Sequence, residues 1–339
     1  MKRTVLAFVL GRFLAFFTRG QRVKRALLVG IDRYENFGNL SGCVNDVTAL
    51  TPLLKRNEDD SPNFSVQTLR TDEGEITRGS LLSALRLLLS PGADIALFYF
   101  AGHGTPADGD VALTVSDGTS FTPGVRMTEV IELVQKSEVQ ELVLLLDCCF
   151  SGGAGAVPAV SAKLSFLRPG LSILAASRGD QVSGETLVGR GLFSTHLEGA
   201  LEGGAADVLG NITMAGLYAY LSESFGAWQQ RPTFKANIDR LQEIRKCAPS
   251  VPLPVLRRLM EWFPTPESHY SLDPSFEPDA EPANAENEAV FSMLQKCRAA
   301  KLVEPVGEEH MYFAAMNSKG CRLTALGRHY RQMSLQDLL

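Results

Sequence analysis

Residues 141–153 read ELVLLLDCCFSGG, an unbroken apolar run that ends in an acid, two cysteines and a glycine turn. A second run, DIALFYFAGHG, occupies residues 94–104 and ends at a histidine between two glycines. Apolar runs without alternation are typical of strands that are covered on both faces. Both stretches therefore predict central strands of one sheet.

Strands and helices alternate around these two runs. Further strands are predicted over residues 25–31, 64–70 and 171–177. The helical spacing of leucine and valine predicts helices over residues 43–55, 76–89 and about 127–135. This alternation predicts an α/β fold, an open, largely parallel sheet of about six strands flanked by helices. In such sheets the chemistry gathers in the loops beyond the carboxyl ends of the strands.

The composition is ordinary for a globular protein, with 45% hydrophobic and 21% charged residues among 339. A chain of this length favours one large domain and a smaller one. The net charge of −5 gives no general reason to expect a nucleic-acid partner. The six cysteines form no C-x-x-C pair, so the pattern encodes neither a zinc ribbon nor a disulfide framework. The cytoplasm, a reducing compartment, is the expected location.

Residues 1–24 combine apolar and basic residues and contain no acid. Gly11 and Arg12 interrupt the apolar run, and a basic stretch stands where a signal peptide would have its small-residue cleavage site. The run is also too short and too interrupted to span a bilayer. Three interpretations remain: a leader helix that packs on the next domain, an overextended start codon, or a basic amphipathic helix that contacts an anionic membrane surface.

The composition changes after residue 240. Residues 241–285 are rich in proline and acids and predict an extended connection with a short helix. Residues 286–339 show the order helix, strand, turn, strand, helix, with the second strand predicted over MYFAAM, residues 311–316. This order predicts a small winged-helix-like module with a regulatory or interaction role.

The ends of the two central strands carry groups suited to nucleophilic catalysis. His103 lies between two glycines, which let the backbone bend sharply and leave the ring accessible. An imidazole can take the proton of a nearby thiol and later protonate a leaving amine. The N–H groups of Gly104 and of the reacting cysteine would bind the oxyanion. The residues alone leave open whether Cys148 or Cys149 reacts, and a packing role for His103 is the alternative.

Six motifs occur in order along residues 25–236: RALLVGIDRY, LSGCVNDV, LFYFAGHG, LVLLLDCCFSGG, AASRGDQVSGE and GLFSTHLEGAL. With these motifs the chain resembles the caspase-like cysteine peptidases (peptidase C14, caspase-hemoglobinase fold), and within them the metacaspase-type branch; a prokaryotic source is expected. The resemblance implies a caspase-like peptidase domain over residues 25–240. Its motif D-x-C-x-S-G implies that Cys149 is the nucleophile and His103 its partner, with Cys148 a packing residue.

The resemblance also implies a substrate preference. In metacaspase-like enzymes, the acid of C-x-N-D and the acid before the nucleophile line the first specificity pocket. These acids correspond to Asp46 and Asp147. Two carboxylates in one pocket favour an arginine or lysine side chain. Ser177 corresponds to the strand edge along which the family lays its substrate. The alternatives are a helix cap for Asp46 and a loop acid for Asp147.

The sequence therefore predicts a regulated cysteine endopeptidase that cleaves proteins or peptides after arginine or lysine. Resemblance to bacterial caspase-like proteins suggests an effector in defence or cell death. No cofactor is expected for the chemistry, and calcium dependence is left open. If autoprocessing occurs, Lys163 or Arg168 would suit the enzyme's own preference. The alternative is a non-catalytic caspase-like scaffold whose C-terminal module binds a partner, a ligand or DNA.

Overall fold

The computed structural model describes residues 22–150, 167–176, 189–225, 232–238, 240–279 and 284–339, with only the backbone at Cys149 and Phe150. The chain divides into two compact units. The first comprises residues up to Ala206 together with Ile212–Cys247, and the second comprises Asp207–Asn211 with Ala248–Leu339. Nearly all of the N-terminal stretch 1–24 lies outside the described residues, so all three interpretations of it stay predictions.

The first unit contains the strands β1 (Lys24–Gly30), β2 (Ser65–Arg70), β3 (Ile95–Ala107), β4 (Asp110–Thr114), β5 (Gly124–Arg126), β6 (Glu141–Phe150), β7 (Leu171–Ala175), β8 (Asn211–Thr213), β9 (Thr233–Asn237) and β10 (Glu243–Lys246). The main sheet has the order β2-β1-β3-β6-β7-β9. All neighbours in this order are parallel except β7 and β9. The predicted largely parallel sheet of about six strands is therefore confirmed.

Helices cover this sheet on both faces. They are α1 (Cys43–Lys55), α2 (Arg78–Leu88), α3 (Met127–Lys136), α4 (Leu192–Gly199) and α5 (Met214–Ser224). Phe98 and Phe100 of β3 lie in one core with residues of α2 and α3. Tyr99, between them, lies in the other core with residues of α1, α4 and α5. Successive strand residues point to opposite faces, which explains why these runs are apolar throughout.

Strand β3 extends beyond the run that predicted it. After the parallel pairing with β6, residues Gly104–Ala107 pair antiparallel with β4, and β4 pairs with β5. His103 is therefore followed by ordered strand rather than by a loop. The candidate site lies where the parallel part of the sheet ends.

The second unit contains the elements α6 (Leu253–Arg257), α7 (Leu259–Trp262), β11 (His269–Ser271), α8 (Ala285–Ala299), β12 (Val303–Val306), α9 (Met311–Met316), β13 (Gly320–Leu323) and α10 (Ala325–Leu335). Its strands form an antiparallel sheet in the order β11-β13-β12. Leu259, Phe263, Leu272 and Phe276 pack in the same core as α8 and α10. Much of the stretch 241–285 therefore folds with this unit.

The strand predicted over residues 311–316 is wrong, because these residues form helix α9. Met311, Ala314 and Ala315 are buried, a spacing that places them on one helical face. The strand that pairs with β12 is β13, over Gly320–Leu323. In the part of the chain that the structure describes, no helix is long and apolar enough to cross a membrane.

Candidate active site

The parallel register of β3 and β6 pairs the two residues of the predicted dyad. His103 lies opposite Cys149, and Gly102 lies opposite Cys148. Neighbouring strands are separated by about 4.8 Å, so the backbones at His103 and Cys149 are adjacent. The thiol of Cys149 is outside the described part of the structure. Gly104, the predicted oxyanion residue, follows His103 on β3 and pairs with Phe150.

The His103 ring is held by the loop that follows β1. Its Nε2 atom lies 2.7 Å from the carbonyl oxygen of Gly38. Because a carbonyl oxygen only accepts hydrogen bonds, Nε2 carries the proton in this contact. In the neutral ring Nδ1 then carries no proton, so Nδ1 is the nitrogen that can accept one.

Tyr34 is a second support of His103, and sequence reasoning missed it. The His103 N–H donates to the Tyr34 hydroxyl oxygen at 2.8 Å, and the two ring centroids are 4.8 Å apart. A Cβ atom at Gly102 would lie only 2.7 Å from this oxygen, so the glycine makes room for the tyrosine. Burial raises the pKa of Tyr34 and keeps its hydroxyl neutral.

The carboxylate of Asp32 connects the same loop to α1. It accepts hydrogen bonds from the N–H groups of Cys43 and Val44, at 2.9 and 3.1 Å. It therefore satisfies two of the N–H groups that a helix start leaves without partners. Asp46 lies one turn further along α1 and is 1% exposed. Its carboxylate is bound by Arg190 and by the N–H of Gly191 rather than by the start of the helix.

The two carboxyl groups of the predicted specificity pocket meet at Gly191. A Cβ atom at this residue would lie 2.7 Å from Oδ2 of Asp147 and 3.0 Å from Oδ2 of Asp46. Asp46 comes from α1, and Asp147 comes from β6, two residues before Cys149. The fold thus brings together two acids that are far apart in sequence and places them near the end of the central strands.

Asp147 is buried and accepts a hydrogen bond from a hydroxyl group. The Ser194 hydroxyl donates to its Oδ2 atom at 2.5 Å. The Tyr99 hydroxyl lies 2.6 Å from the same Ser194 oxygen. Tyr99 and Ser194 are fully buried, and burial raises the pKa of Tyr99. A chain of neutral hydroxyls therefore supports this carboxylate from within the core.

Arg190 is the basic residue that binds Asp46, and nothing in the sequence singled it out. Its Nε atom is 2.5 Å from Oδ1 of Asp46, and Nη2 is 2.9 Å from Oε2 of Glu198. The N–H of Gly191 also donates to Asp46, at 3.2 Å to Oδ2. The side-chain amide of Asn45 donates to the Gly189 carbonyl at 3.2 Å. The Asn-Asp pair of α1 therefore holds residues 189–191.

Opposing influences act on the protonation of Asp46. Burial raises its pKa to about 7, a hydrogen bond from Arg190 opposes this rise, and the nearby Asp147 charge adds to it. A carboxyl group with such a pKa changes charge near neutral pH. This behaviour is typical of a functional site, although structural ion pairs also produce it.

The other sequence predictions have mixed outcomes. Cys148 is 3% exposed and lies in the core with α2 and α3, so its predicted packing role is confirmed. Ser177 and Lys163 lie outside the described residues. Arg168 donates to the backbone carbonyls of Val134, Ser137 and Val139.

Among the described residues, no group of three or more histidine, cysteine, aspartate or glutamate side chains is arranged to hold a metal ion.

Comparison with known proteins identifies the family. The model of the caspase domain, Peptidase_C14, matches residues 23–241. The chain therefore belongs to the caspase-domain family, a family of cysteine-type peptidases. This match includes the whole of the site described above.

Two curated relatives are metacaspases. The chain is 27% identical to Metacaspase-1 of Schizosaccharomyces pombe over 167 residues, covering 44% of this chain and 38% of that protein. It is 33% identical to Metacaspase-1 of Plasmodium falciparum over 150 residues, covering 39% of this chain and 24% of that protein. The matched regions thus span about a quarter to two fifths of these relatives' length.

Two solved caspase structures also match the chain. A structure of pro-sf-caspase-1 covers 69% of this chain and 97% of its own, with 11% identity and a TM-score of 0.45. Caspase-1 from Spodoptera frugiperda has the same coverage, 12% identity and the same TM-score.

Proposed function

We propose that the chain is a cysteine endopeptidase in which His103 and Cys149 form the catalytic dyad. The register of β3 and β6, which pairs these two residues, is the observation that carries the proposal. Two further observations support it: the Gly38 carbonyl fixes the tautomer of His103, and Tyr34 fixes its backbone. Both contacts hold the imidazole in one orientation before substrate binds.

The proposed reaction follows from the roles of the two residues. His103 accepts the Cys149 proton, and the thiolate attacks the carbonyl carbon of the scissile bond. The negative charge that develops on the carbonyl oxygen is bound by the N–H groups of Gly104 and Cys149. The imidazolium then protonates the leaving amine, and a water molecule hydrolyses the thioester with His103 as the base.

The proposed substrates are proteins or peptides with arginine or lysine before the cleaved bond. Support comes from the convergence of Asp46 and Asp147 at Gly191. Two carboxylates that lie close together repel each other and attract a cation, so such a pocket favours a basic side chain over a neutral one. A guanidinium group can bind a carboxylate through two hydrogen bonds.

A peptide-library experiment tests the dyad and the preference together. The wild type, Cys149→Ala and Asp46→Asn are compared on peptides that vary only at the residue before the cleaved bond. The wild type should cleave after arginine and lysine, Cys149→Ala should not cleave, and Asp46→Asn should lose selectivity for basic residues. Cleavage by Cys149→Ala, or a wild-type preference for aspartate, would overturn the proposal.

We also propose that the C-terminal unit regulates the peptidase. The protein is proposed to act in the cytoplasm and to need no cofactor for the chemistry. Support comes from the separate core of residues 248–339, which gives the chain a second folded surface. The full-length protein would be assayed with and without candidate protein partners, small ligands and calcium. An active-site thiol probe that failed to label Cys149 under every condition would favour the scaffold alternative.

A further inference from the structure

The pocket proposed to bind a basic substrate side chain already contains an arginine of the same chain. The Arg190 guanidinium lies between Asp46 and Glu198, with N···O distances of 2.5 and 2.9 Å. Its side chain is only 16% exposed. A substrate arginine and Arg190 would thus compete for the same carboxylate.

Arg190 lies between two glycines, so no large side chain stands next to its guanidinium at the pocket. Gly189 has a φ of +65°, a left-handed conformation that glycine adopts without strain. Gly191 contacts both pocket carboxylates, and any Cβ atom there would collide with them. Arg190 therefore reaches Asp46 from a segment with a glycine on each side.

We propose that Arg190 is a specificity-determining residue, whose guanidinium occupies the pocket and must leave Asp46 before a substrate's basic side chain can bind there. This inference rests on the proposed role of Asp46 and Asp147 in substrate recognition. A substrate's basic side chain must then bind Asp46 more favourably than Arg190 does. Substrates that make additional contacts elsewhere are favoured, because those contacts supply the free energy for the displacement.

The displacement affects basic and neutral side chains differently. An arginine at the cleavage site binds the carboxylate of Asp46, so its binding is weakened by the free energy needed to move Arg190. Alanine is too short to reach Asp46, so an alanine at the cleavage site does not require Arg190 to move. Removing Arg190 should therefore improve the cleavage of arginine peptides and leave that of alanine peptides nearly unchanged.

The kinetic experiment compares arginine and alanine peptides, which differ only at the cleavage site, with the wild type and with Arg190→Ala. The assay is run at about pH 9, because the pKa of the Asp46 carboxyl is about 7 and the loss of Arg190 removes an interaction that lowers it. The expected result is a KM for the arginine peptide that is lower by about tenfold, equivalent to about 1.4 kcal/mol. Arg322→Ala is the matched control, because Arg322 pairs with Glu304 in the second unit. This control should leave both peptides unaffected.

A binding experiment tests the same inference without catalysis. Benzamidine, a small amidinium cation, is titrated into the wild type, Arg190→Ala and Arg190→Gln in a calorimeter. Both variants should bind it about tenfold more tightly than the wild type. The double variant Asp46→Asn with Arg190→Ala should lose this gain. Thermal unfolding of each variant checks that it is folded, and Arg190→Gln serves if the alanine variant does not fold.

The outcomes separate this inference from the proposed function. Tighter benzamidine binding by the variants, without cleavage by any form of the protein, would support the inference while refuting the peptidase proposal. Cleavage of arginine peptides by the wild type, combined with an unchanged or higher KM and unchanged benzamidine binding in the folded variants, would overturn the inference alone. In that case Arg190 would be a permanent anchor of its segment.

Discussion

His103 on β3 and Cys149 on β6 occupy directly opposed positions in a parallel register. Each follows an apolar run that is buried in the sheet, so the fold itself holds the two backbones together. The positions one residue earlier, Gly102 and Cys148, form the neighbouring pair. One pair of this register thus contains the candidate catalytic cysteine, Cys149, and the pair before it contains the buried Cys148.

The two neighbouring thiols should respond differently to substitution. Cys149→Ala should reduce kcat by at least about a thousandfold, because the nucleophile is lost. Cys148→Ala should keep most of the activity and lower the free energy of unfolding by about 1 kcal/mol, because it leaves a small cavity in the core. Peptide cleavage and chemical unfolding measure these two effects. Equal losses of kcat in both variants would contradict the assignment.

The preference for arginine should depend on pH. Asp46 has a pKa of about 7, so the carboxyl is mostly protonated below that value and mostly ionised above it. The ratio of kcat/KM for arginine over citrulline peptides should rise about tenfold between about pH 6 and pH 8. The ratio cancels any pH effect on the chemical step, because both peptides share that step. In Asp46→Asn the ratio should be smaller and nearly flat, and an unchanged rise would exclude Asp46 as its source.

Tyr34 should act as a positioning residue for His103. Tyr34→Phe keeps the ring contact but removes the oxygen that accepts the His103 N–H. We expect kcat to fall by about tenfold with little change in KM, because the imidazole is less well oriented. The unfolding free energy should fall by about 1 kcal/mol for the lost hydrogen bond. Tyr312→Phe, at a half-exposed tyrosine of the second unit, is the control. A fall in stability without any change in kcat would leave Tyr34 a merely structural residue.

Gly191 should tolerate no side chain. In Gly191→Ala the added Cβ atom would lie 2.7 Å from Asp147 and 3.0 Å from Asp46, so the carboxylates or the backbone must move. We expect a loss of about 1–3 kcal/mol in unfolding free energy and a clear fall in kcat/KM for arginine peptides. Gly79→Ala is a suitable control, because its Cβ atom would meet nothing closer than 3.9 Å. Wild-type kinetics in Gly191→Ala would show that the pocket lies elsewhere.

Local sequence patterns were sufficient to predict most elements of the first unit. Helix α1 begins and ends where the spacing of its leucines and valines predicts, even though Pro52 lies within it. The MYFAAM segment was harder, because six apolar residues fit a strand and a helix equally well. In the structure its backbone hydrogen bonds identify it as a helix, with Met311, Ala314 and Ala315 buried on one face.

The candidate site was predictable only in part, for a physical reason. The glycines around His103 and the acid before the cysteines are local signals, and the family motifs add Asp46. Arg190 has no such signal, because its partner Asp46 is 144 residues away in sequence. Tyr34 is similar, since its contact with His103 depends on how the loop after β1 folds back onto β3.

Asp32 joins the start and the end of that loop, since its backbone carbonyl accepts the Leu40 N–H and its carboxylate accepts those of Cys43 and Val44. Residues 32–43 therefore form a closed ring of chain. One part of this ring supplies the carbonyl that contacts His103, and its end begins the helix that carries Asp46. The proposed proton-transfer residue, His103, and the proposed specificity residue, Asp46, consequently share one support, and we expect a change at Asp32 to disturb turnover and substrate choice together.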